Sequence, residues 1–282
     1  DLLYLTGQWV SELRAMNALE DLTRWHKDWE HKDIFTPIAI QRCESSAAID
    51  GESVFGLPQE VTAKAMFYHK QRLEELGMEP ASTREEWRAL LEAMTDASRD
   101  RFGYALRGAR GGLWSWWPIV EEFSGTNHWF DGDNQCIING PDHVAGLSYW
   151  NDLYQDGLSP PDSINWGYTE LVQGFWSGLC GSMEQDNEVV ATCLEHGMDE
   201  TTLLTAPMPS GPKARVTTAD IWILTMAAST PDKDAAWSLY SWLMSPEQLG
   251  TYARSTGTIP SYTAGLDDPA LNSGFYKPFA DM

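Results

Sequence analysis

Short apolar runs alternate with amphipathic stretches along the chain, which is the pattern of a protein built from both strands and helices. The apolar run Asp1–Thr6 predicts a buried strand, and Gly7 separates this strand from a helix. The pairs Ser82-Thr83 and Glu85-Glu86 stand three residues apart and form a doubled capping box. They predict a helix over residues 83–97.

The same alternation continues toward the C-terminal part of the chain. Strands are predicted at 102–106, 181–184 and 221–228, and helices at 141–157, 168–177, 187–196, 232–244 and 246–254. Turn residues predict two hairpins. One surrounds Gly51 and leads into a strand that stops at Pro58, and the other turns at Asp131-Gly132. Strands that alternate with helices favour an α/β fold with parallel sheets.

Length and one change of composition predict two lobes. A chain of 282 residues exceeds the usual size of a single core. The Gly-rich stretch at 107–112 interrupts the regular pattern, so we place a lobe boundary there.

The charge of the chain argues against two classes of partner. A net charge of −22 disfavours nucleic acid and anionic lipid, because binding either one depends on clustered Lys and Arg.

No apolar run reaches the roughly 18 to 20 residues of a membrane-spanning helix, and no export signal stands at the N-terminus. We therefore expect a soluble chain with no membrane-spanning segment, whose export signal has been removed or left out.

Tryptophan is unusually frequent in this sequence. Several of the 14 tryptophans stand in polar or Gly-rich surroundings, as at 113–117 and 165–168. Flat amphipathic rings outside a core favour a surface that stacks on a ligand. Trp87 and Trp237 instead fit the apolar stripes of predicted helices and are expected in the core. Trp9 also fits such a stripe, and for this residue a core position and a ligand-binding position are both left open.

The sequence contains no recognisable motif for catalysis, a metal ion or a nucleotide. HExxH, GxSxG and GxxxxGK[ST] do not occur. His26 and His31 are five residues apart and so lie on different helical faces, and the calcium-like start at Asp131 lacks the required glycine and glutamate. We therefore expect no cofactor, no metal and no enzyme activity.

Paired carboxylates leave one catalytic alternative open. A glycoside hydrolase uses two carboxylates beside aromatic platforms. With 41 acidic residues in the chain, such pairs also arise by chance. The candidates are Glu121, Glu122, Glu184 and Asp186.

The four cysteines show no CxxC pair and no interleaved histidine, so they do not indicate zinc. Cys180 and Cys193 are close in sequence, and we expect a disulfide between them in an oxidising compartment. Four unpaired, buried cysteines are the alternative.

Five segments carry a resemblance to a known family. In chain order they read DLLYLTGQW from Asp1, GLPQEVT from Gly56, MFYHK followed by EEW, FWSG followed by SM, and ASTPDKDAAW followed by SPE and GTIP. In this order they resemble the family 1 extracellular solute-binding proteins of ABC sugar importers, the group that includes maltose-binding protein. Cys180, Gly181 and Ser182 depart from the small apolar residues usual in the fourth segment.

The resemblance implies an α/β, two-lobed periplasmic-binding-protein fold of type II, with a ligand cleft between the lobes. Lobe one is expected at 1–106 and 221–265, and lobe two at 107–220 and 266–282. Family members normally carry another strand-helix-strand unit before the position of Asp1 and further helices after that of Met282. We therefore expect a chain that is truncated at both ends.

The resemblance also implies where a ligand binds. A sugar presents apolar faces and a rim of hydroxyls, so its site stacks aromatic rings and aims amides and carboxylates at the rim. Trp114, Trp166 and Trp222 are expected to form an aromatic clamp, although Asp220–Trp222 replaces a Gly-rich segment of many members. The full set of expected ligand-binding residues is Gln8, Trp9, Gln59, Glu60, Thr62, Trp114, Trp117, Trp166, Tyr168, Asp186, Asp220 and Trp222.

The function implied is non-catalytic binding of a carbohydrate or sugar-like solute, which is a sugar, oligosaccharide, polyol or sugar derivative. The ligand would be delivered to the membrane permease of an ABC transporter. We expect a periplasmic monomer, or a lipid-anchored extracellular protein if the cell is Gram-positive. A sugar-sensing binding subunit of the same fold is a further alternative to the hydrolase.

Overall fold

A computed structural model describes residues 1–281 and contains both strands and helices. The strands are β1 (Leu2–Thr6), β2 (Ile49–Asp50), β3 (Ser53–Val54), β4 (Gly56–His69), β5 (Phe102–Tyr104), β6 (Cys180–Asp186), β7 (Leu203–Ala206), β8 (Ala219–Met226) and β9 (Ile259–Pro260). The α-helices are α1 (Gly7–Ala15), α2 (Thr23–His26), α3 (Pro37–Ser45), α4 (Lys70–Leu76), α5 (Arg84–Met94), α6 (Leu113–Ser124), α7 (Pro141–Gln155), α8 (Tyr168–Trp176), α9 (Val189–Glu195), α10 (Lys233–Leu243), α11 (Pro246–Thr256) and α12 (Lys277–Ala280).

The chain divides into two compact units. Unit 1 contains Asp1–Ala63 and Ala219–Ala280, and unit 2 contains Lys64–Thr218. Unit 2 is therefore inserted into the sequence of unit 1. This division differs from the expected lobe boundaries, because residues 64–106 lie in unit 2 and residues 266–280 lie in unit 1.

Strand pairing explains this difference. The second half of β4, from Lys64 to His69, pairs with β6 and β7, which belong to unit 2. Helix α5 follows it into the same unit, where Arg84 binds Glu122. At the other end of the chain, Asp268 forms an ion pair with Arg254 of α11 and so stays with unit 1. The Gly-rich stretch at 107–112 lies inside unit 2, so this change of composition does not coincide with a boundary between the units.

Unit 1 is built on a sheet in which β8 lies between β1 and the first half of β4, with β9 beside β4. One face of this sheet, with Leu5 and Ile223, packs on α1 and α3 through a common apolar cluster. On the other face, Leu224 and Met226 pack against Tyr240 of α10. Farther along β8, this second face changes from apolar to polar.

Unit 2 is built on the second half of β4, together with β5, β6 and β7. Tyr68 and Tyr104 share one apolar cluster with Trp87 of α5, which is fully buried, as expected. Phe67 makes an edge contact with Phe175 of α8, with ring centroids 6.1 Å apart. The capping box that predicts α5 is present, since the Thr83 hydroxyl accepts from Glu86 N and the Glu86 carboxylate accepts from Thr83 N.

Two sequence predictions about strands are wrong. Pro58 does not end its strand, because β4 continues to His69 and its register against β8 shifts between Pro58 and Glu60. Proline cannot donate to a ladder, and an irregularity at this point accommodates it. The sheets are also mainly antiparallel: among the strands in residues 1–281, only β5 and β6 pair in parallel. Alternation along a sequence does not fix which strands become neighbours.

Helix α6 lies where no helix is predicted. Its first turns are rich in tryptophan, which is typical of strands, and Pro118 lies inside the helix. Pro118 has no N–H, so the carbonyl oxygen of Trp114 four residues earlier loses its helical donor. The Nζ atom of Lys64 donates to that oxygen at 2.6 Å. A long-range contact thus compensates for a local break.

The expected disulfide is absent. Cys180, Cys193, Cys43 and Cys136 all carry free thiols. Cys180 begins β6 and Cys193 lies on α9, and their closeness in sequence does not bring their sulfur atoms together. Burial raises the pKa of the Cys193 thiol to about 12, and it raises those of Cys43 and Cys180 as well. Within residues 1–281 there is also no helix with the length and apolar character needed to cross a membrane.

Candidate functional site

Strand register gathers polar and aromatic side chains on one face of the unit 1 sheet. Trp222 on β8 lies opposite Glu60 on β4, and Asp220 lies opposite Thr62. Tyr4 on β1 lies two residues from the partner of Trp222. Because alternate residues of a strand point to the same side, these five residues share one face. We call them the acidic aromatic face.

Tyr4 and Trp222 form the aromatic part of this face. Their rings stack with centroids 4.8 Å apart and planes 15° from parallel. Tyr252 of α11 meets Tyr4 edge-on, and the two hydroxyl oxygens are 3.2 Å apart. Tyr4 and Trp222 are both half-buried, so part of each ring reaches the surface. Such rings can pack against the apolar face of a ligand.

Glu60 is the buried acid of this face. The Tyr4 hydroxyl donates to its Oε1 atom, whereas Oε2 has no hydrogen-bond partner among residues 1–281. Burial raises the pKa of Glu60; the hydroxyls of Tyr4, Thr258 and Tyr252 oppose this rise. A carboxylate oxygen accepts hydrogen bonds, so Oε2 can accept one from a donor that reaches this face.

Asp220 is the second acid and is only partly buried. Its Oδ1 atom accepts from the backbone N–H of Ile221 at 2.8 Å. Burial raises the pKa of Asp220, and the positive charge of Arg42 acts in the opposite direction. Asp220 can therefore offer carboxylate oxygens to a donor that approaches this face from solvent.

Unit 2 contains a separate group of candidate residues. Trp114 lies in the first turn of α6 and is 47% exposed. Tyr168 begins α8, and the guanidinium carbon of Arg107 lies 5.9 Å from the centre of its ring. Burial lowers the pKa of Arg107, while the charge of Asp186 raises it, so these two side chains interact. Tyr168, Arg107 and Asp186 form a polar aromatic cluster.

Two of the expected stacking tryptophans are buried. Trp117 is 9% exposed and its ring lies 5.0 Å from that of Trp129. Trp166 is 8% exposed and covers Gly174, where an added Cβ would stand 2.7 Å from the Trp166 ring. Packing accounts for both rings. Of the expected clamp, Trp114 is therefore the ring in unit 2 that reaches solvent.

The remaining expected residues lie on α1 and β4 of unit 1. Gln8 and Trp9 stand in the first turn of α1, and Trp9 is 48% exposed rather than part of the core. Gln59 stands at the register shift of β4, where its backbone carbonyl accepts from the Ser261 hydroxyl at 3.1 Å. Thr62 is buried beside Asp220.

Two of the acids considered for a hydrolase are buried beside an arginine inside unit 2. Arg84 donates to both carboxylate oxygens of Glu122, at 2.7 and 2.9 Å, and its Nη2 atom lies 3.9 Å from Glu184. All three side chains are buried. A carboxylate in such a pair has no access to a dissolved substrate, so Glu122 and Glu184 do not form a hydrolytic pair here.

A sequence model of the bacterial extracellular solute-binding proteins matches residues 1–249. The chain belongs to this family. Among curated relatives, a putative binding protein of Brucella abortus (strain 2308) is 22% identical over 276 residues, which cover 92% of this chain and 62% of the relative. The maltotriose-binding protein of Pyrococcus abyssi (strain GE5 / Orsay) is 21% identical over 289 residues, which cover 97% of this chain and 57% of that protein. The chain thus spans less than two thirds of the length of either relative.

Solved structures extend the comparison to the fold. The ABC transporter solute-binding protein of Thermotoga lettingae TMO, bound with α-D-tagatose, superposes with a TM-score of 0.86 at 17% identity. The match covers 98% of this chain and 71% of that protein. The predicted fold class, the α/β, two-lobed periplasmic-binding-protein fold, is confirmed for this member of the solute-binding protein family.

Sequence reasoning missed three residues of the site in this solute-binding protein. Tyr4 is hidden in an apolar run, although the alternation Leu3-Tyr4-Leu5 already puts its ring on the side opposite to two core leucines. No local sequence pattern indicates Tyr252 or Arg107. Tyr252 meets Tyr4, and Arg107 meets Tyr168, only because the fold brings distant segments together. In the part of the chain that the structure describes, no group of three His, Cys, Asp or Glu residues is arranged to hold a metal ion.

Proposed function

We propose that this solute-binding protein binds a carbohydrate or polyol without changing it chemically. The ligand is then passed, outside the cytoplasmic membrane, to the permease of an ABC transporter. The observation that carries this proposal is the acidic aromatic face, where stacked rings stand beside two carboxylates on one side of a sheet.

The chemistry of this face suits a polyhydroxylated ligand. The C–H faces of a sugar pack on aromatic rings, and its hydroxyl groups donate to carboxylates. Trp222 supplies the first contact, and Asp220, partly exposed beside it, supplies the second. The relatives support this assignment by their names, since one binds maltotriose and another holds α-D-tagatose.

The exposed ring of Trp114 and the cluster of Tyr168, Arg107 and Asp186 are further candidate contacts in unit 2. They combine the same kinds of group as unit 1: flat rings with polar side chains beside them. We treat the two units separately in the experiments, so that each group can fail without the other.

A ligand screen tests the proposal. Sugars, polyols and oligosaccharides are added to the protein, thermal unfolding is followed, and every hit is titrated by calorimetry. A ligand at 100 times its Kd should stabilise the folded state by about 2.7 kcal/mol. Trp222→Ala should weaken binding of that ligand by about 5- to 150-fold, which corresponds to roughly 1–3 kcal/mol.

The matched control is Trp242→Ala, which removes an equally large and 55% exposed ring from α10 of the same unit but outside the acidic aromatic face. Binding by this variant should equal that of the parent. If no member of the panel binds, or if both variants bind alike, the proposal is wrong. Mass spectrometry of the bound ligand after long incubation tests the absence of turnover, and ATPase stimulation of the reconstituted permease tests delivery.

A further inference from the structure

Lys64 is an unusual residue to find in the interior of unit 2. Its side chain is 3% exposed, and its Nζ atom donates to the backbone oxygen of Trp114 at 2.6 Å. That oxygen is the one left without a helical donor by Pro118. A buried lysine thus supplies the hydrogen bond that the sequence of α6 removes.

Glu184 completes the attachment. It lies opposite Met66 in the sheet, which puts it diagonal to Lys64 on the same face, and its charge interacts with that of Lys64. The Ser115 side chain, next to Trp114 in the first turn of α6, is close enough to the same carboxylate to lower its pKa. Tyr104 adds a second hydroxyl, which donates to Glu184 Oε1 at 3.3 Å.

The first turn of α6 is therefore fixed at Trp114 by a buried lysine, and the next residue, Ser115, lies beside the buried carboxylate of Glu184. Its last turn is fixed too, because Arg84 binds Glu122 with two hydrogen bonds. Apolar packing tolerates small shifts, whereas a buried ion must keep the geometry of its hydrogen bonds or lose their compensation for its desolvation. Trp114 itself is 47% exposed, so the position of its ring depends on how firmly this turn is held.

We infer that Lys64 and Glu184 are positioning residues: they hold the backbone of the first turn of α6, and with it the place from which Trp114 presents its exposed ring. The ring is thereby prepared for ligand contact before the ligand arrives, which reduces the ordering cost of binding. The ligand part of this inference rests on the proposed function, while the position of the turn that bears the ring does not.

An NMR experiment tests the position of the Trp114 ring without any ligand. Protein labelled with 5-fluorotryptophan gives one fluorine signal for each tryptophan, and Trp114→Phe identifies that of Trp114. Lys64→Met keeps the length of the side chain and removes the donor, so the Trp114 signal should shift or broaden. Lys64→Arg keeps a cationic donor and should restore a sharp signal, and the Trp242 signal should stay unchanged in every variant.

Ser115→Ala is a milder test on the same carboxylate, and it keeps the inference testable if Lys64→Met fails to fold. It removes one hydroxyl and leaves both charges in place. The Trp114 signal should change in the same direction, by less. An unchanged Trp114 signal in both folded variants, or in Ser115→Ala alone if Lys64→Met does not fold, would overturn the inference.

A double-mutant cycle tests the effect on binding, with the ligand identified in the screen. Lys64→Met alone should weaken binding about 10-fold, or about 1.4 kcal/mol. In a Trp114→Ala background the same change should have less than about a 2-fold effect, since the ring that Lys64 positions is gone. Additive losses would mean that Lys64 acts elsewhere and would contradict the inference. If Trp114→Ala alone leaves affinity unchanged, the ligand contact of Trp114 in the proposed function fails, while the fluorine signals still decide the positioning role.

Discussion

Tyr4 covers one face of the Trp222 indole, with ring centroids 4.8 Å apart and planes 15° from parallel. A ligand can therefore stack on Trp222 only from the side that Tyr4 leaves open. Because the Tyr4 hydroxyl donates to Glu60, the tyrosine ring is held in place by a buried acid. The stacking surface that we propose for unit 1 is thus assembled without a ligand.

Removing the Tyr4 hydroxyl should lower stability more than it lowers affinity. Tyr4→Phe keeps the ring against Trp222 but deprives Glu60 of a donor, which should cost about 1–3 kcal/mol in the free energy of unfolding. Ligand affinity should fall less than with Tyr4→Ala, which also removes the ring. Denaturant unfolding and calorimetric titration of both variants give the comparison. Equal affinity losses in the two variants would show that the hydroxyl, rather than the ring, matters for binding.

Two tryptophans of unit 2 should respond in opposite ways to truncation. Trp166→Ala empties a packed position against Gly174 and should cost about 3–5 kcal/mol of stability. Trp114→Ala removes a ring that is 47% exposed and should leave the melting temperature nearly unchanged while binding weakens. Thermal melting and titration of each variant check this contrast. A Trp114→Ala protein that melts as low as Trp166→Ala would place Trp114 in the core instead.

The stability contribution of Glu60 should depend on pH. Burial raises its pKa above the ordinary value of about 4.5, so the folded protein holds this proton more tightly than the unfolded chain does. The contribution of Glu60 therefore decreases as pH rises from that value through its folded-state pKa. Glu60→Gln cannot ionise, so its stability relative to the parent should improve as pH increases over that window. Unfolding curves at several pH values, with exposed Glu52→Gln as control, would show the trend; a flat difference for Glu60→Gln would contradict it.

The buried ion pair of unit 2 should be costly to break from one side. Arg84→Met leaves the carboxylates of Glu122 and Glu184 without their guanidinium and should destabilise the protein by about 3–5 kcal/mol. In the Arg84→Met variant, the further change Glu122→Leu removes one of the two unpaired buried carboxylates. It should recover part of the lost stability. Denaturant titration measures both variants. A loss of only a few tenths of a kcal/mol in the single variant would argue against a desolvated pair.

Thiol reactivity tests whether the four cysteines are free. All four should react with a thiol reagent in denatured protein that has never been reduced. In the native protein Cys136 should react first, because it is exposed while Cys43, Cys180 and Cys193 are buried. If only two thiols react after denaturation, the result would support the disulfide between Cys180 and Cys193 that their closeness in sequence suggests.

Local signals in the sequence predict local structure well. The capping box at Thr83 and Glu86 marks the start of α5, and the apolar run at Leu2–Thr6 marks β1, because both signals depend on neighbouring residues only. The family resemblance adds positions such as Asp220 and Trp222, which lie together on the acidic aromatic face. It does not indicate Tyr4, whose stacking partner is distant in the chain and is brought to it by strand register.

Proline shows why the remainder is hard to predict. Local rules predict a break at Pro58, and they do not predict a helix around Pro118. In the folded chain, a shift of register accommodates the first proline, and Lys64 supplies the hydrogen bond that the second one removes. The compensation in both cases comes from another segment, and no short window of sequence contains it.

The insertion of unit 2 into unit 1 also sets an order of events on the ribosome. Strand β1 is synthesised before unit 2, yet its partner β8 begins only at Ala219, after the whole of Lys64–Thr218. At about 5–20 residues per second, β1 waits on the order of 10 to 45 s for that partner. During this interval Leu3 and Leu5 lack the partners that β8 supplies, while the strands of unit 2 are synthesised. The contact between Tyr4 and Trp222 can therefore form only after every strand of unit 2 has been synthesised.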